Sequence, residues 1–450
     1  MRRSVVVMKR SRKDAAAYAR LPASEGGIGP GRPELLREVN ARRVLRLLRL
    51  HGPCSRADLV RSSGLSAPTI SSGIAYLQRK GLVEPIGPGP SSGGRPPDLL
   101  RFNCKRGYVV GADIGTSVVR VALADLNGTV MEEWVAPTHS HSTPERVAKL
   151  IREGIGRLRK HQNVSPKKLL GLVAGVPGIT DARAGIVLSA PILPAGWQAV
   201  PLRELLEAKT GITAVVENDV NLAALGENWR GTARGVKNFV FLTIGTGVGA
   251  GIFVNGRLYH GSDWAAGEIG YLYVPGTAET PLAIRRPGSL ESIIGARAIR
   301  QSWLKLCDGT RRTSLPSPRH ISVEEILDLA EKGESHAAEI LQRTARVLAD
   351  AITDVCVVLN SSLIVFGGRV GSHPALFNAT ARILERNEFC RPRLALSALG
   401  REAPLFGSIC LALKAAERKI LPSTLHASET PVLEEASGFL QPFLGLGRPE

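Results

Sequence analysis

The chain has 450 residues, enough for two or three domains, and 44 % of them are hydrophobic, which allows substantial cores. No apolar run approaches the roughly 20 residues of a membrane span, and the six cysteines form no CxxC pair, so we expect a cytoplasmic protein without a disulfide framework. Residues 1–101 carry 19 Lys+Arg against 7 Asp+Glu, whereas the other 349 carry 39 against 33, which indicates a basic nucleic-acid-binding head on a near-neutral body.

Two segments of different character make up this basic quarter. Residues 1–33 show no lasting hydrophobic periodicity, and we expect them to form a disordered basic tail. The tail could touch DNA phosphates without sequence preference, or it could precede the true start of the protein. Residues 34–103 contain three helical segments, for which Asn40, Ser55 and Ser66 are placed as N-caps.

The third of these segments is predicted to read DNA. Ile70, Ile74 and Leu77 recur at the spacing of one buried helix face. Three short capped helices in this order are typical of a helix–turn–helix domain, in which the third helix enters the major groove. The residues of this helix expected to contact DNA are Ser66, Thr69, Ser71 and Ser72.

Two extended stretches follow, Leu82–Glu84 and Leu99–Phe102, and we call the predicted hairpin the wing. Its Gly/Pro/Ser-rich tip holds Arg95 between Gly94 and Pro96. An arginine held extended in this way can enter a narrow minor groove, where the negative potential is concentrated. The charge and the wing favour DNA binding over the alternative, a small helical bundle that binds a protein partner.

Residues 107–228 show the pattern of an α/β lobe. A strand is predicted from Tyr108 to Ile114, and an Asn127-Gly128 turn between alternating runs predicts a hairpin after it. A helix from Pro144 to about His161 and a strand near Leu169–Ala174 follow. This order resembles the ribonuclease-H-like half of actin-type ATPases.

Residues 229–420 repeat the pattern as a second lobe. The apolar strand Phe239–Ile244 runs into the glycine run Gly245–Gly251, whose backbone N–H groups can approach an anion because no Cβ intervenes. One long helical stretch is expected near Val323–Leu359. Residues 421–450 are expected to be a loosely structured tail.

A carboxylate beside an amide, at Asn218-Asp219, follows another predicted strand. Such a pair can hold and deprotonate a sugar hydroxyl, so together with the glycine run it indicates half of a sugar kinase site. The alternative interpretation, a helix cap and a glycine-rich turn, stays open at this point.

Several motifs in combination resemble the ROK family (repressors, open reading frames, kinases), in the branch similar to xylose and N-acetylglucosamine repressors, over residues 35–420. The resemblance implies an α/β protein in which a winged helix-turn-helix precedes a two-lobed body with the actin-like ATPase fold. The motifs are Gly175-Val176-Pro177-Gly178, Gly196-Trp197, Glu217-Asn218-Asp219-Val220-Asn221, the run from Gly245, Gly267-Glu268-Ile269-Gly270, Gly367-Gly368 and Pro404-Leu405-Phe406-Gly407.

The resemblance also implies residue roles. Asp219 would be the catalytic base if the chain were a kinase, and Asn218, Asp219 and Glu268 would bind the hydroxyls of a sugar, to which carboxylates and amides are well suited. A vestigial or weak phosphate and nucleotide site would comprise Asp113, Gly115, Thr116, Gly245, Thr246, Gly247, Gly249, Gly367 and Gly368.

Two departures from the family pattern affect the expected cofactors. Thr116 stands where the first phosphate loop of family kinases has its second glycine, and its Cβ should hinder a phosphate, so neither ATP nor Mg²⁺ is expected. Tyr271, Leu282, Ile284 and Ser289 occupy the four zinc-ligand positions of the family. None of these residues is a usual zinc ligand, so no metal is expected.

The sequence thus predicts a sequence-specific DNA-binding transcriptional regulator of carbohydrate metabolism, a repressor, whose body senses a sugar or sugar derivative. Its expected partners are an operator in double-stranded DNA, a small sugar effector and further copies of the chain, as a homodimer or higher homo-oligomer; no membrane is expected. One alternative is an ATP-dependent sugar kinase fused to a DNA-binding head, with any residual turnover through Asp219. Another is a vestigial pocket on a body that serves only to dimerise.

Overall fold

The computed structural model describes residues 33–90, 96–138, 142–194, 196–277, 287–307, 321–389 and 391–422. Both expected tails, apart from their innermost residues, lie outside the described residues, and so do Arg95, Leu282 and Ile284. Within these ranges, no helix has the length and apolar character that crossing a membrane requires.

The head is a winged helix. It consists of α1 (Pro33–His51), β1 (Cys54–Ser55), α2 (Arg56–Ser63), α3 (Ala67–Arg79), β2 (Val83–Pro88) and β3 (Asp98–Phe102). The three strands form an antiparallel sheet in the order β1-β3-β2. Ser55 caps α2 and Ser66 caps α3, as predicted. The predicted cap at Asn40 is wrong, because α1 begins at Pro33 and Asn40 lies inside it.

Lobe 1 follows the head. Its elements are β4 (Tyr108–Ile114), β5 (Val118–Asp125), β6 (Val130–Pro137), α4 (Pro144–His161), β7 (Leu169–Val176), β8 (Ile179–Asp181), β9 (Ile186–Ser189), β10 (Gln198–Val200), α5 (Leu202–Thr210), β11 (Ala214–Asn218) and α6 (Asp219–Arg230). The main sheet has the order β11-β7-β4-β5-β6, in which β11, β7 and β4 are parallel. The predicted hairpin turns at Asn127-Gly128, where the glycine has a left-handed φ of 77°.

Lobe 2 repeats this architecture. Its elements are β12 (Phe239–Ile244), β13 (Val248–Val254), β14 (Arg257–Tyr259), α7 (Glu291–Ile294), α8 (Ala296–Cys307), α9 (Val323–Glu331), α10 (Ser335–Leu359), β15 (Leu363–Gly367), α11 (Pro374–Leu384), β16 (Arg393–Leu396) and α12 (Ala403–Ile420). The sheet order is β14-β13-β12-β15-β16. The long helical stretch expected near 323–359 is divided into α9 and α10, because Gly333 turns the chain at a φ of 85° and Glu334 caps α10.

Each lobe contributes one helix that packs on the sheet of the other lobe. α6 comes from lobe 1 but packs on β12 and β13 of lobe 2, whereas α12, from the end of lobe 2, packs on β4 and β7 of lobe 1. The two helices cross at glycines: a Cβ at Gly226 would overlap the carbonyl oxygen of Ala403, and one at Gly407 would overlap that of Leu222. The backbones of α6 and α12 therefore touch, and movement of one helix must displace the other.

The far end of α12 supports the head. Glu417 of α12 accepts a hydrogen bond from Arg49 of α1 at 2.7 Å, and the same arginine lies 4.4 Å over the ring of Phe102. Arg42, two turns earlier in α1, also reaches this carboxylate, at 3.9 Å. The apolar cores of the head and of the α6–α12 pair form one continuous cluster.

Candidate functional site

Carboxylates of both lobes come within electrostatic range of one another at the end of the lobe 1 sheet, and we call this region the cleft. β4, β7 and β11 are parallel, so their carboxyl ends lie at one edge, where Asp113 pairs with Gly175 of β7 and Asn218 pairs with the residue after it. A Cβ at Gly175 would lie 2.8 Å from a side chain of α6. The glycine therefore lets the first turn of α6 approach the sheet, which brings Asp219 into electrostatic range of Asp113.

These two half-buried carboxyl groups hold protons unusually well. Burial raises the pKa of Asp219 to about 6 against the opposing hydrogen bond from the backbone N–H of Val220, and the negative charge of Glu268 adds to the rise. Burial and then the charge of Asp219 raise the pKa of Asp113 to about 7, although Arg120 opposes this. A carboxylate that titrates near neutrality is suited to accept a proton from a hydroxyl.

Lobe 2 contributes two more carboxylates. Burial, and after it the charge of Glu291, raise the pKa of Glu268 to about 7. Glu291 begins α7 and accepts a hydrogen bond from the backbone N–H of Val248 at 3.0 Å. Sequence reasoning did not place Glu291 in the site, because it lies 43 residues from Val248 along the chain and carries no local signal.

Asn218 has a structural task in the cleft. Its Oδ1 accepts the backbone N–H of Asn221 as the cap of α6, and its Nδ2 donates to the carbonyl of Gly178, both at 2.9 Å. One lone pair of the oxygen and one N–H remain for other partners. If Asn218 binds a sugar, it must do so with the part of its amide that does not cap α6 or bond to Gly178.

A buried histidine–glutamate pair joins the two lobes beside the cleft. Glu217, which is fully buried, accepts a hydrogen bond from Nε2 of His260 at 2.9 Å. It also accepts from the Asn221 side chain and from the backbone N–H of Asn218. Burial alone would lower the pKa of His260, but the charge and hydrogen bond of Glu217 outweigh this and raise it. The sequence motif contained Glu217, but its partner lies 43 residues away and carries no local signal.

The expected phosphate loops differ in what their glycines do. Gly115 closes the β4–β5 turn by donating to the carbonyl of Val118, and the adjacent Thr116 is exposed. In the β12–β13 turn, Gly245 has open space beside its Cα, Thr246 is exposed, and Gly247 and Gly249 have room for a Cβ at ordinary contact distances. At the end of β15, however, a Cβ on Gly367 would overlap the Phe241 ring and one on Gly368 would overlap the carbonyl of Ile244. These last two glycines are required by packing, whatever they bind.

The loop that carries the zinc ligands in the family is held here by hydrogen bonds within the protein. Ser289 accepts a hydrogen bond from the backbone N–H of Val274 at 2.8 Å and lies 2.7 Å from the hydroxyl of Thr277. Tyr271 sits in a short 3-10 turn, and burial raises the pKa of its phenol. Among the residues that the structure describes, no group of three or more His, Cys, Asp or Glu side chains could hold a metal ion.

The expected DNA-contacting residues lie on one helix at the surface of the head. Ser66, Ser71 and Ser72 are exposed on α3 and Thr69 is half-buried, while Ile70, Ile74 and Leu77 are fully buried. Ser66 and Thr69 share a hydrogen bond of 2.8 Å. Arg79, exposed in the last turn of α3, adds a positive charge that the sequence interpretation did not use.

Comparison with known proteins finds both parts of this architecture together. The ROK family model matches residues 109–415, and the MarR family model matches residues 38–90. The xylose repressor of Caldicellulosiruptor bescii is 28 % identical over 391 residues, which cover 85 % of this chain and 97 % of that protein. A glucokinase of Halalkalibacterium halodurans is 29 % identical over 267 residues, covering 58 % and 80 %. A solved ROK family transcriptional regulator, a homolog of the E. coli MLC protein, has a TM-score of 0.71 at 24 % identity and covers 86 % of this chain and 98 % of its own.

Proposed function

Because this chain belongs to the ROK family, we propose that it is a DNA-binding transcriptional repressor of carbohydrate metabolism whose body senses a sugar or sugar derivative. The observation that carries the proposal is the shared architecture: a winged helix and a ROK body cover nearly the whole length of a xylose repressor. The kinase relative, in contrast, matches only 58 % of this chain.

The head supplies the chemistry that operator binding requires. Three hydroxyl side chains on α3 and that of its N-cap Ser66 can donate and accept hydrogen bonds at base edges in a major groove. The excess of basic residues in the first 101 supplies phosphate contacts. Arg95 of the wing would enter the adjacent minor groove. Paired half-sites require paired heads, so we propose that the chain acts as a homodimer or higher homo-oligomer in the cytoplasm.

The cleft supplies acceptors for a sugar. Asp219 and Glu268 would accept hydrogen bonds from vicinal hydroxyls, with Asn218 contributing the part of its amide that the helix cap leaves available. Two further carboxylates lie near these groups: Glu291 is within electrostatic range of Glu268, and Asp113 is within range of Asp219. Several buried carboxylates discriminate strongly against ligands without hydroxyls, because such ligands would leave these acceptors unpaired.

One continuous route connects the cleft to the head. α6 begins at Asp219 and crosses α12 at Gly226 and Gly407, and the last turn of α12 places Glu417 against Arg49 of α1. A sugar that closes the cleft would shift α6 and hence α12. We propose that this changes the relative orientation of two heads in a dimer and with it their fit to the operator.

A mobility-shift experiment with the DNA upstream of the gene tests the proposal. The protein should retard this DNA at low salt more strongly than an unrelated fragment of equal length, and the affinity should fall steeply as salt rises. One sugar of a panel containing D-xylose, D-glucose and N-acetyl-D-glucosamine should change the affinity. A protein that fails to retard the DNA at low salt would contradict the repressor function.

A second function, an ATP-dependent sugar kinase, is favoured by Asp219, whose carboxyl group titrates near neutrality in the cleft. Thr116 and the hydrogen bond of Glu291 to the backbone N–H of Val248 oppose it, because both occupy positions where a phosphate would approach. A kinase would release ADP in the presence of a sugar and lose this activity in Asp219→Asn. If no sugar of the panel supports turnover, only the sensing role remains.

We also propose that the body works without zinc, ATP or Mg²⁺. The support is the replacement of the family's zinc ligands, with Ser289 bonded instead to Val274 and Thr277. Metal analysis of the purified protein should find less than about one zinc per ten chains. A stoichiometric zinc that survives dialysis against a chelator would refute this proposal.

A further inference from the structure

Trp264 has a backbone conformation that a bulky residue rarely adopts. Its φ is 63°, in the left-handed region that favours glycine. It lies in the loop between β14 and Glu268, which is closed on itself, since the backbone N–H of Ala266 donates to the carbonyl of His260. A strained bulky residue in a short loop persists only where the surroundings hold it, and such residues cluster at functional sites.

The contacts of the indole place it beside the sugar-binding cleft. Its ring meets the His260 ring edge-on, with centroids 5.1 Å apart and an interplanar angle of 65°. His260 is held in turn by Glu217, which directly precedes Asn218 and Asp219. The loop then reaches Glu268 four residues later. The half-buried indole thus contacts His260, which bonds to the residue before α6, and it lies four residues from Glu268 of lobe 2 along the chain.

A sugar presents two kinds of surface, and the carboxylates satisfy only one of them. Hydroxyls project from the ring edge, whereas the axial C–H groups form an apolar face that is stabilised by contact with an aromatic plane. Small-ligand sites combine apolar or aromatic walls with a few placed polar groups. Trp264 is an aromatic residue that contacts the cleft through His260, and its indole can supply such a plane.

We propose that Trp264 is the platform on which the apolar face of the effector sugar lies, and that the His260–Glu217 pair holds the indole in place. The proposal deepens the sugar-sensing function and rests on it. It predicts that the effector is a sugar with an apolar face of C–H groups that can lie against the indole.

Three variants separate this role from a purely structural one. Trp264→Gly relieves the left-handed strain and removes the plane, whereas Trp264→Phe keeps an aromatic plane and the strain. The control is Trp303→Phe, which alters a fully buried tryptophan in the core of lobe 2. Thermal shift and isothermal titration with D-xylose, D-glucose and N-acetyl-D-glucosamine measure sugar binding.

We expect Trp264→Gly to weaken sugar binding by about tenfold or more, Trp264→Phe by about threefold, and the control by less than about twofold. If Trp264→Gly binds the sugar as well as the wild type, the platform is refuted and the sensing function stands. If the wild type binds none of the sugars, the sensing function itself fails.

Discussion

Arg49 and Glu417 are separated by 368 residues in the chain, yet their side chains meet in an ion pair with Nη1 and Oε2 2.7 Å apart. Both side chains are largely buried, at 11 % and 8 % exposure. The pair joins the end of α1 in the head to the end of α12 in the body. A charge-assisted hydrogen bond at this depth is stronger than a surface pair, because removing one partner leaves the other charge buried.

Glu417→Gln should therefore weaken the attachment of the head. We expect a loss of about 1–3 kcal/mol in the free energy of unfolding, measured by urea denaturation, and a smaller effect of sugar on operator affinity. The matched control is Glu324→Gln, which removes the half-buried partner of the exposed Arg369 and should cost at most about 1 kcal/mol. A Glu417→Gln protein with full sugar response would show that the head is controlled by another contact.

Asp113→Asn should stabilise the protein at alkaline pH. The native carboxyl group keeps its proton up to about pH 7, while the unfolded chain releases it near its usual pKa of 3.8. The native state therefore loses stability as the pH rises from about 4 to 7, and a neutral amide removes this loss. We expect Asp113→Asn to exceed the wild type by about 1–3 kcal/mol at pH 8 and to equal it near pH 4, by thermal unfolding.

Asp58→Asn is the control of opposite sign for this experiment. Hydrogen bonds with Ser55 hold the pKa of Asp58 below its usual value. The wild type should then be the more stable protein at pH 8, and its advantage should vanish as the pH falls below the usual pKa of a carboxyl group. Identical pH profiles for the two variants would mean that the cleft does not raise the pKa of Asp113.

Gly407→Ala should disrupt the crossing of α6 and α12. The added methyl group would overlap the carbonyl oxygen of Leu222, and neither backbone can retreat without moving its sheet. We expect a cost of about 3 kcal/mol or more in the free energy of unfolding. Gly156→Ala in α4 is the control: its Cβ would meet nothing within 4 Å, so it should stabilise the protein by about 0.5–1 kcal/mol. Equal stabilities would exclude backbone contact at the crossing.

Ser72→Glu should impair operator binding without changing the fold. Ser72 is exposed on α3, so the new carboxylate would face the phosphates of a bound duplex. We expect at least a tenfold loss of operator affinity at 100 mM salt, measured by fluorescence anisotropy, and an unchanged melting temperature. Ser165→Glu adds the same charge to an exposed position of lobe 1 and should alter the affinity by less than about threefold. A similar loss in both variants would indicate a general charge effect and no recognition by α3.

Local chemistry was sufficient to predict much of the fold. Ser55 and Ser66 cap helices because each hydroxyl satisfies the backbone N–H group three residues further along the chain. The same kind of reasoning failed at Asn40, where a longer amphipathic helix outweighs the preference of one residue for a cap. Near Gly333, a single left-handed glycine divides the predicted helical stretch into two helices.

The amino-acid sequence by itself determined the order of the elements, the basic head, the two α/β lobes and the types of residue available for a sugar site. These properties follow from charge, periodicity and capping, which act over a few residues. The family resemblance already implied that Asp219 and Glu268 share one site. Only the tertiary structure decided that Glu291 joins them, that His260 reaches Glu217, and that α6 and α12 each pack on the sheet of the other lobe and connect the cleft to the head. These relationships depend on close packing between distant segments, and no local pattern specifies which segments will meet.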